Sequence, residues 1–302
     1  MRKYQVVLFG YLGIEAFASE TPHLIDMINE ANTQLIPSKT MICEEKTTPE
    51  KNILFICDPV LGESGRLYMP QSFLSLYREK LIPKSFLITP NQTEAEVLSG
   101  VQLTTLDDIK LAVSKLHDLG VPNVIITSFE LPTPLDNALF QSDATLPHDL
   151  HLGADIQADE KSLQESSEEA KKLAASLLDL NTPVMYSVCS TRRSLVPPAF
   201  SSLIPSGCVE KSGNIDRNDN TMFICRIPKY ASYVSGTGDL LASLITAKLC
   251  YNMDIRTSWE LGMASIHCVL RRTLLLGRNE LAIVQNSHQL LQPGAKITSF
   301  AI

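Results

Sequence analysis

Short apolar runs alternate with amphipathic helical stretches through the first half of the chain. Runs typical of buried strands occupy residues 4–9, 52–57, 85–88 and 124–126. Helical periodicity follows the first three of them, at 20–34, at 71–80 and on both sides of Gly100. A strand followed by a helix, repeated in this order, predicts an α/β protein with a mostly parallel central sheet and helices on both faces.

The second half of the chain interrupts this alternation twice. Two polar stretches, about 135–182 and 196–220, have the composition of surface insertions rather than of a core. Strands resume at 184–188 and 222–227, and the far edge of the sheet is therefore expected to be antiparallel. We predict a single domain over residues 1–302, because this length is within the range of α/β domains.

Composition narrows the classes of partner. A formal net charge of -7 argues against a nucleic-acid or acidic-membrane partner, since either would need a basic face. The sequence contains no run of about 18 apolar residues, and residues 1–20 lack the order of a signal peptide, so we expect a cytoplasmic protein. Seven scattered cysteines without a C-x-x-C pair are typical of reduced thiols. The sequence also contains no H-E-x-x-H pattern, so we do not expect a structural metal.

The stretch Ser235-Gly236-Thr237-Gly238-Asp239 runs directly into an apolar helical segment. Its glycines allow a tight turn, and the first N–H groups of the helix have no intrahelical partner. Together with the positive end of the helix dipole, these N–H groups predict a pocket for an anion such as phosphate. Asp239 leaves two interpretations open: an acidic cap, or a base that takes the proton of a hydroxyl attacking a phosphoryl group.

Polar side chains follow three of the predicted strands where those strands end. Asp58 follows the second strand, Asn91 and Glu94 follow the third, and Thr127 and Ser128 follow the fourth. Ligands of α/β sheets bind beyond the carboxyl ends of the strands, so these residues are candidates for one site. Taken alone, Asp58 could equally be a turn aspartate before proline, and Asn91 and Glu94 could cap a helix instead of facing a ligand.

No stretch matches the G-x-x-x-x-G-K-[ST] phosphate loop, and G-T-G-D is too short for the dinucleotide fingerprint. Five motifs follow one another along the chain: Cys57-Asp58-Pro59-Val60-Leu61-Gly62, Leu67-Tyr68-Met69-Pro70, Ile88-Thr89-Pro90-Asn91-Gln92-Thr93-Glu94-Ala95-Glu96, Ile126-Thr127-Ser128 and Gly236-Thr237-Gly238-Asp239. In this order they resemble the motifs of the pyridoxal kinase family in the ribokinase-like superfamily. The resemblance covers nearly the whole chain apart from the two insertions.

The resemblance implies a three-layer ribokinase-like fold and a specific activity. That activity is the ATP-dependent phosphorylation of the 5′-hydroxyl of pyridoxal, and of related B6 vitamers, to give pyridoxal 5′-phosphate. It also implies Mg²⁺ with ATP, a monovalent cation such as K⁺, and a homodimer. Asp239 would be the base for the substrate hydroxyl, and the backbone of Gly236, Thr237 and Gly238 would form the anion hole.

The same resemblance assigns the other candidate residues. Asp58 would stand near the ATP phosphates and the cations, while Asn91 and Glu94 would hold Mg²⁺ largely through water. Thr89, Thr127 and Ser128 would contact phosphates. Tyr68 would belong to the loop that covers the site, and Tyr11 would stack near the pyridine ring.

Two departures from the family pattern bear on activity. Glu63 stands where the family usually has aspartate, and the following Ser64-Gly65-Arg66 is poorer in charge. The family also has a further strand, a glycine-containing loop and a β-flap ahead of the point where this sequence starts. We therefore expect the N-terminal strand and flap to be missing and pyridoxal to bind weakly. The alternatives are a hydroxymethylpyrimidine kinase-like enzyme and a truncated, non-catalytic nucleotide-binding homologue.

Overall fold

The structure is a computed structural model, and it describes residues 5–34, 53–135, 137–140, 183–205, 219–230 and 234–302. Most of the first predicted insertion and the C-terminal half of the second lie outside these residues. Among the described helices, none is long and apolar enough to cross a membrane.

Seven strands of the described residues form one sheet. Their bounds are β1 Val6–Phe9, β2 Leu54–Cys57, β5 Leu87–Ile88, β6 Asn123–Phe129, β7 Val184–Arg192, β8 Asn220–Pro228 and β9 Phe300–Ala301. Neighbouring strands follow the order β1-β2-β5-β6-β7-β8-β9, with parallel pairing from β1 to β6 and antiparallel pairing from β6 onward. The mostly parallel sheet with an antiparallel far edge is confirmed. A separate hairpin pairs β3 Gly62–Glu63 with β4 Arg66–Leu67.

Helices connect the parallel strands and close the second half of the chain. Their bounds are α1 Glu15–Gln34, α2 Gln71–Leu76, α3 Gln92–Ser99, α4 Leu106–Asp118, α5 Thr237–Cys250, α6 Ile255–Leu275 and α7 Ser287–Leu291. A π-helical turn over Tyr77–Leu81 and a 3₁₀ turn over Ile82–Lys84 extend α2 toward β5. Four further 3₁₀ turns of the described residues are Asn137–Phe140, Arg193–Leu195, Pro198–Leu203 and Val284–Asn286.

Helix α1 begins at Glu15, earlier than the periodicity from residue 20 predicts. Proline is favoured in the first turn of a helix, where its missing N–H leaves no hydrogen bond unmade. Pro22 nevertheless lies inside this helix. Ala18 and Ile25 lie two turns apart, and both are buried in the core. Packing of Ala18 therefore extends the helix toward its N-terminus. The Thr21 hydroxyl also donates to the Phe17 carbonyl at 3.0 Å, just before the proline.

The two faces of the sheet carry separate cores. Along β2, Phe55 and Cys57 pack with α1 to α4, whereas Leu54 and Ile56 pack with α5 and α6. Alternating residues of a strand point to opposite faces, so a strand buried on both sides is an unbroken apolar run. The three-layer α/β/α arrangement expected from the sequence is thus observed.

Buried His117 predicts a loss of stability in acid. Its Nδ1 lies 2.8 Å from the Val121 carbonyl oxygen and its Nε2 lies 2.9 Å from the Ser190 hydroxyl. A carbonyl only accepts, so Nδ1 carries the proton and Nε2 accepts from Ser190. Burial lowers the pKa of His117 from 6.5 to about 4. The unfolded chain therefore binds this proton first as the pH falls below 6.5, and stability is lost toward pH 4.

We expect this one histidine to lower the free energy of unfolding by about 2 kcal/mol between pH 7 and pH 5. Urea unfolding of the parent and of His117→Gln at both pH values measures the difference. The variant is expected to be less stable at pH 7 and to close part of that gap at pH 5. An identical pH dependence in both proteins would contradict the neutral, buried state of His117.

Candidate active site

The carboxyl ends of β1, β2 and β5 bring the first candidate residues side by side. Phe9, Cys57 and Ile88 are in register across these three strands, so the residues that follow them lie in one row at the edge of the sheet. Within that row the Thr89 hydroxyl donates to Oδ1 of Asp58 at 2.8 Å. Thr89 therefore orients the carboxylate of Asp58.

The glycine turn lies over the same edge. Gly236 is the N-cap of α5 with φ of 87°, a left-handed conformation that favours glycine, and it makes no side-chain cap. A Cβ placed on Gly238 would lie 4.0 Å from Oδ2 of Asp58, and one placed on Gly10 would lie 4.0 Å from Oδ1 of Asp239. The structure thus brings the glycine turn, Asp58 and Asp239 together above the ends of β1 and β2.

The start of α5 has the properties of an anion site. Its N-cap residue, Gly236, has no side chain that could cap the first N–H groups of the helix, and Gly238 and Asp239 are exposed. The backbone of Ser235 is fixed from the other side, because its N–H donates to the Asn279 carbonyl at 3.1 Å. Partial positive charge at this helix end therefore faces open space next to two carboxylates.

Burial makes the carboxylates costly to ionise. Asp58 is 7% exposed, and burial raises its pKa to about 6, with a further increase from the negative charge of Asp239. Glu94 is 3% exposed, and burial raises its pKa to about 8 although three backbone N–H groups oppose the shift. A cation brought to this edge would favour the ionised form of Asp58 and would offset its buried charge.

Asn91 and Glu94 form a reciprocal cap of α3, which was one of the two possibilities that the sequence left open. The Asn91 side chain accepts from Glu94 N at 3.0 Å, and Asn91 N donates to Oε2 of Glu94 at 2.9 Å. The other ends of both side chains reach the hairpin, since Oε1 of Glu94 accepts from Leu61 N at 3.0 Å and Nδ2 of Asn91 donates to the Gly62 carbonyl at 2.8 Å.

The end of β6 is joined to the start of α3. Thr127 N donates to the Pro90 carbonyl at 2.9 Å, and Glu130 N donates to Oε1 of Gln92 at 3.0 Å. Lys229 forms an ion pair with Glu130 at 2.6 Å, beyond the end of β8. Thr127 and Ser128 lie within the last three residues of β6, which runs to Phe129, and not after the end of the strand as the apolar run 124–126 predicts. Gln92 lies within one of the motifs, but its role could not be expected from the sequence, because a hydrogen bond from a side chain to the backbone of a distant segment has no local pattern.

The two tyrosines lie outside the buried part of the site. Tyr11 is 64% exposed and Tyr68 is 56% exposed. Tyr11 directly follows Gly10, which neighbours Asp239, and Tyr68 directly follows the hairpin. Both residues are thus at the rim, where a bound molecule could cover them.

The donor set fits a metal that arrives with a nucleotide better than a protein-held metal. Within the described part of the chain, no group of three or more His, Cys, Asp and Glu residues could hold a metal ion. Oxygens of Glu94 and both ends of the Asn91 side chain are already used by the α3 cap and the hairpin. Mg²⁺ commonly uses one or two carboxylates and otherwise binds water and substrate phosphates, and Asp58 can supply such a carboxylate.

Comparisons of sequence show that part of the chain is similar to known kinases. A family model described as phosphomethylpyrimidine kinase matches residues 33–147. Human pyridoxal kinase is 33% identical over 138 residues, which cover 44% of this chain and 38% of that protein. Pyridoxal kinase of Arabidopsis thaliana is 33% identical over 128 residues, covering 42% and 36%. The matched part of the chain thus spans less than two fifths of the length of these relatives.

Comparisons of structure extend over nearly the whole chain. Pyridoxal kinase from Leishmania donovani in complex with ADP superposes with a TM-score of 0.65 at 18% identity, covering 99% of this chain and 75% of that one. Pyridoxal kinase from Trypanosoma brucei gives a TM-score of 0.62 at 19% identity, covering 99% and 73%. At these identities the likeness concerns the fold.

The three-layer fold, with its glycine turn above the strand ends, is similar to the folds of these pyridoxal kinase structures. In sequence, the similarity to pyridoxal kinases covers less than half of the chain.

Proposed function

We propose that this chain transfers the γ-phosphoryl group of ATP to the 5′-hydroxyl of pyridoxal and related B6 vitamers, giving pyridoxal 5′-phosphate and ADP. The observation that carries the proposal is the position of Asp239. Its carboxylate stands beside the open N–H groups of α5 and faces the strand edge at Gly10, with Asp58 next to Gly238. A base and an anion hole at one place are what a hydroxyl attacking a phosphoryl group requires.

In the proposed reaction Asp239 accepts the proton of the 5′-hydroxyl as its oxygen bonds to the γ-phosphorus. The bond from that phosphorus to the β,γ-bridging oxygen breaks, and ADP leaves. The backbone N–H groups of Gly236, Thr237 and Gly238 bind the transferred group. Catalysis would come mainly from positioning and charge neutralisation, since phosphoryl transfer needs little covalent help from a protein.

The remaining residues receive roles at the nucleotide. Asp58 would face the Mg²⁺ of Mg-ATP, and its orientation by Thr89 supports this role. Asn91 and Glu94 would reach the metal through water, because their protein-facing bonds leave them no direct position. Thr89, Thr127 and Ser128 are proposed to contact phosphates. Tyr68 is proposed to cover the nucleotide, and Tyr11 is proposed to stack near the pyridine ring.

Three further properties are proposed from the family resemblance alone. They are the use of K⁺ beside Mg²⁺, assembly as a homodimer, and a cytoplasmic location.

A hydroxymethylpyrimidine kinase is the second candidate, because the matching family model is described as phosphomethylpyrimidine kinase. Its chemistry is also phosphoryl transfer to a hydroxymethyl group on an aromatic ring. The same base and anion hole would serve it, so the two activities differ in the ring they accept.

The proposal is tested by supplying Mg-ATP with one acceptor at a time. Pyridoxal, pyridoxine, pyridoxamine and hydroxymethylpyrimidine are compared by ADP release, and the aldehyde product from pyridoxal is followed by its absorbance. We expect turnover with the B6 vitamers. Turnover with hydroxymethylpyrimidine alone would establish the second candidate, and Mg-ATP binding without any turnover would indicate a non-catalytic homologue.

A further inference from the structure

The hairpin of β3 and β4 is an exposed element that follows Asp58 closely in the chain. Its two turn residues, Ser64 and Gly65, have φ of 53° and 75°, so both are left-handed, as a two-residue hairpin turn of type I′ requires. The Tyr68 N–H donates to the Leu61 carbonyl at 3.1 Å and closes the hairpin at its base. Strands of two residues are only marginally stable unless other elements hold them.

Helix α3 holds this hairpin at two separate places. The base is fixed by Glu94 and Asn91, through the bonds to Leu61 and Gly62 described above. The tip is fixed by Thr93, whose hydroxyl accepts from Gly65 N at 2.8 Å. Thr93 is 8% exposed, and in the chain it lies between Asn91 and Glu94, which hold the base. None of the roles assigned above includes Thr93.

We propose that Thr93 is a positioning residue, which holds the tip of the hairpin against α3 and so orders the hairpin before Mg-ATP binds. This inference rests on the proposed function. The hairpin begins four residues after Asp58, shares Glu94 with the strand-end site, and carries Arg66 opposite Glu63. If the hairpin is already ordered, its conformational entropy has been lost on folding. Binding of the nucleotide then does not have to offset that loss.

The test compares Thr93→Val, which removes the hydroxyl at nearly constant shape, with Thr93→Ser, which keeps it. Amide exchange of Gly65 followed by NMR reports on the hairpin independently of activity. Calorimetry gives the Kd of Mg-ATP, and steady-state assays with pyridoxal give KM for ATP and kcat. Thermal unfolding confirms that both variants are folded.

For Thr93→Val we expect faster exchange of the Gly65 amide and a rise of about 3- to 10-fold in both Kd and KM, the range that one lost hydrogen bond supplies. The kcat is expected to stay within about twofold, because no group at the reacting atoms changes. Thr93→Ser is expected to behave as the parent in all four measurements.

Unchanged Gly65 exchange in Thr93→Val would overturn the proposal, and so would faster exchange without any change in the Kd of Mg-ATP. A fall in kcat at constant KM would also overturn it, because it would place Thr93 in the chemical step. If the parent itself neither binds Mg-ATP nor turns over, the proposed function fails, while the exchange comparison still decides whether Thr93 holds the hairpin.

Discussion

Replacing Asp239 by asparagine is expected to lower phosphoryl transfer to pyridoxal by about 10²- to 10⁴-fold, the usual cost of losing a general base. The amide has the shape of the carboxylate but lacks the basic oxygen that would take the hydroxyl proton. Asp239 lies in the first turn of α5 and is exposed, so the exchange leaves the core untouched. Binding of Mg-ATP, measured by calorimetry, is expected to stay close to that of the parent.

A matched control separates base catalysis from helix electrostatics. Asp107 is an exposed acidic residue in the first turn of α4, and Asp107→Asn changes the net charge and a helix N-terminus in the same way, away from the site. This control is expected to turn over as the parent does. Turnover of Asp239→Asn within a few-fold of the parent would refute the role of this residue as base, and the acidic-cap interpretation would then stand.

Elements whose stability comes from local pattern were predictable from the sequence. Strands β2 and β5 are buried on both faces, and an unbroken apolar run such as that of β2 is sufficient to predict them. Their order then fixes a shared carboxyl edge, so Asp58, Asn91 and Glu94 could be expected at one place. The short distance between Oδ2 of Asp58 and Gly238 could not be predicted from the sequence, because it depends on how α5 packs on the sheet.

Two elements were missed because distant residues stabilise them. The hairpin depends on the bond from Leu61 to Glu94, which are 33 residues apart. Strand β9 has two residues, and the chain before it is tied to α6 by Ser299, whose hydroxyl accepts from Nε of Arg256 at 2.8 Å across 43 residues. Strands this short have no periodicity to detect, so only the tertiary contacts define them.

Asn91 and Glu94 illustrate a limit of reading side-chain chemistry from sequence. A carboxylate and an amide three residues apart can satisfy backbone N–H groups or the water shell of a cation, since both need the same oxygens. The structure shows the cap and the hairpin anchor. The residues that surround the pair decide between a helix cap and a cation site, and the local sequence does not specify those residues.

Replacing Asp58 by asparagine is expected to stabilise the ligand-free protein at pH 7 while removing its activity. Burial raises the pKa of Asp58 from 3.8 to about 6, so the native state keeps the proton over a range where the unfolded chain has lost it. The associated stability is complete below pH 3.8 and is lost as the pH rises to 6. Ionised Asp58 thus costs up to about 3 kcal/mol at pH 7. Asparagine removes this cost and still accepts from Thr89.

We expect a gain of roughly 1 to 3 kcal/mol in the free energy of unfolding at pH 7, and no gain near pH 4. Urea unfolding from pH 4 to pH 8 measures it, with Glu79→Gln, at an exposed position, as a control for net charge. Mg-ATP should stabilise the parent and the control more than Asp58→Asn, because the variant lacks the carboxylate that faces the cation. Equal stability of parent and variant at pH 7 would show that Asp58 is not desolvated. A stabilised variant with normal turnover would remove Asp58 from the site, since the cost of burying its charge would then serve no step of the reaction.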